Sequence, residues 1–179
     1  MKIKQLTIHN LASYTDVTID FDAEPLKSAD VFLISGSVGS GKSTILDAIT
    51  LALFARTPRF GNTDKRGSGS KFDDIGLDKP IHMVRRGEKT GFAKLTFEAD
   101  GRDYEAEWSA TGSKESHSLT DLGTKEVFTG RDDADSMITR LIGVNFEEFC
   151  RTTMLAQGEF SKFLKSSSDE KSRILEKVT

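Results

Sequence analysis

Between Val17 and Phe21 the chain alternates: Val17, Ile19 and Phe21 are apolar, while Thr18 and Asp20 are polar. A period of two puts the apolar set on one face of a β-strand and leaves the other face wet. Ile3 to His9 also reads as a strand, linked to the first by the polar stretch Asn10 to Asp16. Val31 to Ile34 differs in being apolar at every position, the pattern of a strand covered on both faces. A glycine-rich turn follows it. Ile45, Leu46, Ala48, Ile49, Ala52 and Leu53 then recur at helical spacing up to Pro58. The order is strand, glycine loop, helix.

Arg56 to Pro80 is rich in Gly, Ser, Asp and Lys and reads as a long surface loop, with Arg66 to Lys71 the stretch least expected to order. Ala93 to Glu98 and Tyr104 to Ser109 are predicted strands, joined through Ala99, Asp100, Gly101 and Arg102. Asp-Gly between two alternating runs is a hairpin signal. One or two further strands are expected between His117 and Phe128. Asp132 to Ile142 reads as a helix closed by Gly143. Asn145 to Thr153 reads as another, with Asn145 as its cap and Phe146, Phe149 and Cys150 inward. A short helix carrying Phe160, Phe163 and Leu164 follows Gly158, and Ser167 with Glu170 forms a capping box for a last helix. That helix meets no stop signal before Thr179, so the chain is expected to be one part of a longer protein.

Composition narrows the field. A net charge of −3 over 179 residues carries no global signal for nucleic acid, and leaves room only for a local basic patch. With Cys150 as its single cysteine the chain forms no intrachain disulfide, which fits a reducing cytosol. No apolar stretch is long enough to span a membrane, and MKIKQLTIHN lacks the apolar run of a secretory signal. His9, His82 and His117 show no metal-ligand spacing and are read as surface or loop residues.

The chemistry lies in the glycine turn. GSVGSGKS, from Gly36 to Ser43, fits G-x-x-x-x-G-K-[ST], the phosphate-binding P-loop. Glycines let the backbone curl so that successive N–H groups point at phosphate oxygens. The helix that starts near Ser43 adds the positive end of its dipole. Lys42 would reach the β- and γ-phosphates, and the Ser43 hydroxyl would ligate magnesium. The Asn-Lys-x-Asp guanine reader of a GTPase is absent, and Asp73-Asp74-Ile75-Gly76 has no strand before it. Arg140, Arg151 and Arg173 are too scattered for a kinase lid. No buried apolar strand ending in an acidic residue follows the loop, so the hydrolytic half of the site is not expected here.

GSVGSGKSTILDAITLALF resembles the P-loop and first helix of the SMC-like ATPase heads, and KIKQLTIHNLASYTDVTIDF resembles their N-terminal strand pair. RTPRF, Arg56 to Phe60, is similar to the bacterial SbcC branch. MVRRGEKTGFAKLTFEADGRDYEAEW resembles that group's arginine loop and hairpin, and FEEFCRTTMLAQGEFSKFLKSSSDEKSRILEKV its Q-loop and entry to a coiled coil. The resemblance runs through nearly the whole chain, in order. It implies an α/β P-loop fold of ABC/SMC-head type, with a mixed sheet around the P-loop helix, an antiparallel β region and a helical part leading to a coiled coil. The implied division is residues 1–145 as the ATPase lobe with its β-hairpin region, 146–165 as the Q-loop and helical segment, and 166–179 as the start of the coiled coil.

The resemblance also implies a function: the ATP-binding half of an ATPase head in an SbcCD-type double-strand-break repair nuclease, where ATP-driven head dimerisation regulates DNA end processing. Gly36, Ser37, Gly39, Ser40, Gly41, Lys42, Ser43 and Thr44 match the nucleotide loop. Gln157 matches the Q-loop glutamine, which touches magnesium and senses the γ-phosphate. Arg85 or Arg86 matches an arginine near the nucleotide or the DNA. Relatives often carry a basic residue where this chain has Ala12, which leaves Asn10 and Ser13 as polar contacts from that turn. Implied cofactors are ATP and Mg2+. Implied partners are the C-terminal half of the same protein, an SbcD-type metallophosphoesterase, a second head and double-stranded DNA, in the cytoplasm at the nucleoid. That C-terminal half would supply the signature motif and acidic magnesium strand, so residues 1–179 alone are expected to hydrolyse almost no ATP. Alternative readings are a chromosome-organising SMC-type head, or a transporter-type ABC ATPase, whose signature motif follows the Q-loop within one domain.

Overall fold

The computed structural model describes residues 1–29, 33–60 and 79–152, except the side chains of Arg131, Arg151 and Thr152. Its strands are β1 (Lys2–Leu11), β2 (Tyr14–Asp20), β3 (Thr90–Ala99), β4 (Arg102–Thr111), β5 (Lys114–Asp121) and β6 (Val127–Thr129). Its helices are α1 (Lys42–Phe54), α2 (Arg131–Ile142) and α3 (Phe146–Thr152). The described strands form one sheet in the order β2-β1-β3-β4-β5-β6, with antiparallel pairing throughout.

Alternation decides which face of this sheet is covered. Ala93, Leu95 and Phe97 of β3 face the core, as do Tyr104, Ala106 and Trp108 of β4. The register opposes Ala93 to Trp108 and Leu95 to Ala106, so large and small side chains interlock. Phe97 and Tyr104 stack at 5.8 Å. Asp100 (φ 50) and Gly101 (φ 72) make a two-residue turn with both φ positive, which matches the right-handed strand twist.

α1 lies on the inner face of the sheet. Ile45 and every residue from Asp47 to Phe54 are buried, so the helix is covered almost all round. Phe146 and Phe149 of α3 close on Phe54, with ring centroids 5.8 and 5.5 Å away. Asn145 caps α3 as expected: its Oδ1 accepts from Glu148 N at 2.9 Å, and Glu148 Oε2 accepts from Asn145 N at 3.2 Å. Gly143, in the left-handed region, closes α2 by donating to Thr139 O.

Helical spacing up to Pro58 overstates α1, which stops at Phe54 where Ala55 turns left-handed. The chain then folds back on the helix. Asp47, 3% exposed, accepts from the Thr57 hydroxyl, from Arg59 Nε at 2.9 Å and from Arg59 Nη2 at 2.6 Å. The start of the expected surface loop is therefore anchored, with Thr57 buried. Residues 61–78, Arg66 to Lys71 among them, fall outside the described residues.

Two further expectations change. Leu33 and Ile34 belong to no strand, and Leu33 is 88% exposed. Four apolar residues in a row do not say what covers them, and no described strand pairs beside these two. Val31 and Phe32, on which a mixed sheet would depend, lie outside the described residues. His117 is not a surface residue. It is buried in β5, with Nε2 3.0 Å from Ala52 O of α1, because its position in the strand faces the core. His82 is exposed in a short 3-10 turn (Pro80–Met83).

At the β5–β6 connection, Asp121 Oδ1 accepts from Thr124 N at 2.9 Å and Gly123 N at 2.8 Å. These backbone bonds, Thr124 first, together with nearby Arg102, hold its carboxyl below the usual carboxylate range despite burial.

Candidate phosphate-binding site

The glycine loop enters α1 through a tight curl. Ser40 N donates to Ser37 O at 3.2 Å, and the Gly41 carbonyl accepts from Thr44 N at 2.9 Å and Ile45 N at 3.3 Å. Gly39 (φ 84) and Gly41 (φ 92) take backbone angles that other residues rarely adopt. The backbone N–H groups of Val38, Gly39, Gly41, Lys42 and Ser43 find no protein acceptor among the described residues. Those of Lys42 and Ser43 also sit at the helix N-terminus, ahead of the first intrahelical bond. The first turn of α1 has no acidic side chain, so nothing there competes with an anion. Lys42 Nζ donates to Gly36 O and Ser37 O, both at 2.7 Å, and so lies across the loop.

A second element walls this loop. β1 and β2 are joined by Ala12 and Ser13. Ala12 has φ 48 and Asn10 has φ 49, so both sit in the left-handed region. The turn is pinned from behind by Ala12 N to Met83 O and Arg85 N to Asn10 O, each 2.8 Å. Its front packs on Gly41. A Cβ there would lie 2.6 Å from Ser13 Oγ and 2.9 Å from Tyr14 Cε2. Tyr14 also donates its hydroxyl to Ser40 O at 3.5 Å.

Asn10 is buried at 6% exposure. Its Nδ2 donates to His9 Nε2 at 3.0 Å, His9 Nδ1 bonds Asp16 Oδ1 at 2.6 Å, and Asn10 Oδ1 is buried without a partner among the described residues. His9 also stacks on Phe92 at 5.2 Å.

The structure thus brings together Gly36, Ser37, Gly39, Ser40, Gly41, Lys42 and Ser13. Ser43 is exposed at the start of α1, whereas Thr44 is 4% exposed. Arg85 is exposed, with its guanidinium donating to the Thr15 hydroxyl on the same hairpin. Arg86 is exposed. Gln157 lies outside the described residues. Tyr14 escaped the sequence reading, since an aromatic at the start of a strand carries no signal for contact with a loop over twenty positions away.

The donor set suits a polyphosphate. Several N–H groups without an acceptor among the described residues share a helix N-terminus with the Lys42 ammonium, and the first turn of α1 carries no acidic side chain. The exposed Ser43 hydroxyl suits a magnesium ion accompanying such a ligand.

A family model described as AAA domain matches residues 5–178. The whole chain is 38% identical to the SbcC component of the SbcCD nuclease from Pseudomonas aeruginosa and covers 16% of that protein. It is 35% identical to the same-named component from Rhodobacter capsulatus, again covering 16%. Over 96% of its length it is 28% identical to a probable DNA double-strand break repair Rad50 ATPase of Aquifex aeolicus, covering 15% of it. Among solved structures, the recombination mediator protein RecF with ATP aligns over 75% of this chain and 29% of that one, at 15% identity and a TM-score of 0.49.

Proposed function

The chain belongs to the AAA domain family, and from that premise we propose that it is the ATP-binding lobe of an SbcC-type ATPase head. The observation that carries this reading is the loop itself: N–H groups without acceptors among the described residues, gathered at the N-terminus of α1 and crossed by Lys42.

In this proposal Lys42 exchanges its bonds to the Gly36 and Ser37 carbonyls for β- and γ-phosphate oxygens. The N–H groups of Gly39, Gly41, Lys42 and Ser43 hold the same phosphates. Ser43 ligates Mg2+, which when bound neutralises charge on the phosphates. Gln157 supplies a second polar contact at the metal and the γ-phosphate, and Asn10, Ser13 and Thr44 shape the site wall. Arg85 stands outside the loop for nucleotide or DNA.

The larger assembly is part of the proposal. The relatives are several times longer than this chain, which covers 16% of the first two. Residues 1–145 form the nucleotide lobe, 146–165 carry Gln157, and 166–179 enter a coiled coil. The C-terminal half of the protein, a second head, an SbcD-type nuclease partner and double-stranded DNA complete it, at the nucleoid in the cytoplasm. Among the described residues no helix is long and apolar enough to cross a membrane.

The test is ATP-stimulated cleavage of linear duplex DNA by the full-length protein co-purified with its nuclease partner. Lys42→Ala should abolish the ATP dependence and head dimerisation while leaving the complex assembled. Full ATP-dependent cleavage by the variant would refute the proposal.

A further inference from the structure

Resting on the phosphate-loop reading, we infer that Tyr14 is a positioning residue of the nucleotide site. It braces the Ser40–Gly41 peptide so that the Gly41 N–H is presented to a phosphate.

A trans peptide is planar, and its C=O and N–H point in opposite directions. Whatever fixes the Ser40 carbonyl therefore aims the Gly41 N–H. Tyr14 fixes it in two ways. Its hydroxyl donates to Ser40 O at 3.5 Å, a long bond. Its ring lies against Gly41, where a Cβ would be 2.9 Å from Cε2 and 3.0 Å from Cζ. Ser13 Oγ fills the remaining space at 2.6 Å. The Gly41 N–H is turned away from the hairpin and meets no acceptor among the described residues.

The brace is itself rigid. Tyr14 opens β2, pairs with the fully buried Leu11, and packs against the hydrophobic core. A donor whose direction is set before the ligand arrives loses less freedom on binding. The ring is engaged with the loop backbone, so its influence should follow the phosphates and not the base.

The experiment compares ADP, pyrophosphate and AMP binding by titration calorimetry in the full-length protein, with Tyr14→Phe, Tyr14→Ala and Lys42→Ala. Tyr14→Phe keeps the ring and removes one hydrogen bond. ADP and pyrophosphate should weaken about three- to tenfold, with AMP and the melting temperature unchanged. Tyr14→Ala should weaken ADP further. If Tyr14→Phe binds ADP like the parent while Lys42→Ala has lost it, the brace is refuted and the phosphate loop stands. An equal loss for AMP and ADP would also overturn it, by assigning Tyr14 to the nucleoside. Parent-like binding by Lys42→Ala would remove the phosphate-loop reading, and the brace with it.

Discussion

Arg59→Ala should destabilise the fold well beyond what an exposed arginine ordinarily contributes. The pair it breaks is lopsided: the Arg59 side chain is 44% exposed, whereas that of Asp47 is 4% exposed. Arginine alone can return to water. The carboxylate cannot, and among the described residues would keep only the Thr57 hydroxyl. Removing one partner of a buried pair costs about 3–5 kcal/mol. Solvent screening on the open arginine side lowers the expectation to about 2–3 kcal/mol. Asp47→Ala should cost about 2 kcal/mol by a different route, leaving the buried Thr57 hydroxyl with only the bond it accepts from Arg59 N among the described residues, its own proton without that acceptor, and a hole where the carboxylate was. Because the two losses share one interaction, the double variant should be milder than their sum by about 1.5 kcal/mol. Trp108, the single tryptophan, is fully buried on the sheet face that α1 covers, so its fluorescence during urea unfolding reports on this core. An Arg59→Ala midpoint that matches the parent, with no coupling in the cycle, would refute the reasoning.

Asn145→Ala removes the cap of α3 and should cost about 1 kcal/mol, read as a lower melting temperature, with Asn145→Asp restoring most of it. Asp121 supplies a pH signature. Its carboxyl is held down in the folded state, so its contribution is fully present at neutral pH. That contribution is lost as pH falls from the ordinary carboxylate range through the depressed folded value. Asp121→Asn should flatten the acid limb of stability against pH relative to the parent; identical limbs would show that the turn bonds do not favour the ionised form.

Much of the fold was legible because its signals are local. Asp100-Gly101 announced its hairpin, Gly143 the end of α2, and Asn145 with Glu148 the start of α3. The glycine turn into α1 was legible for the same reason, since its spacing and the helical periodicity after it are both local. Failures came where distant residues decide. His117 looked like a loop histidine until β5 turned it toward Ala52 on α1. The run ending at Leu33 and Ile34 looked covered, but an apolar run does not name its neighbours. Arg59 read as part of a surface loop because its partner Asp47 lies a helix earlier. Tyr14 and Gly41 meet only through packing of the N-terminal hairpin on the loop, and no periodicity encodes that contact.

The central claim is that residues 36–44 bind the phosphates of ATP, and its most direct test is calorimetric titration of Mg-ATP into the full-length protein, as parent and as Lys42→Ala. The Lys42 bonds within the loop join exposed groups, so the variant should melt close to the parent in the absence of nucleotide. Losing charge-assisted contacts to phosphate should cost on the order of 2 kcal/mol or more, an affinity about thirtyfold weaker. Equal affinities for ATP in a folded variant would contradict the account.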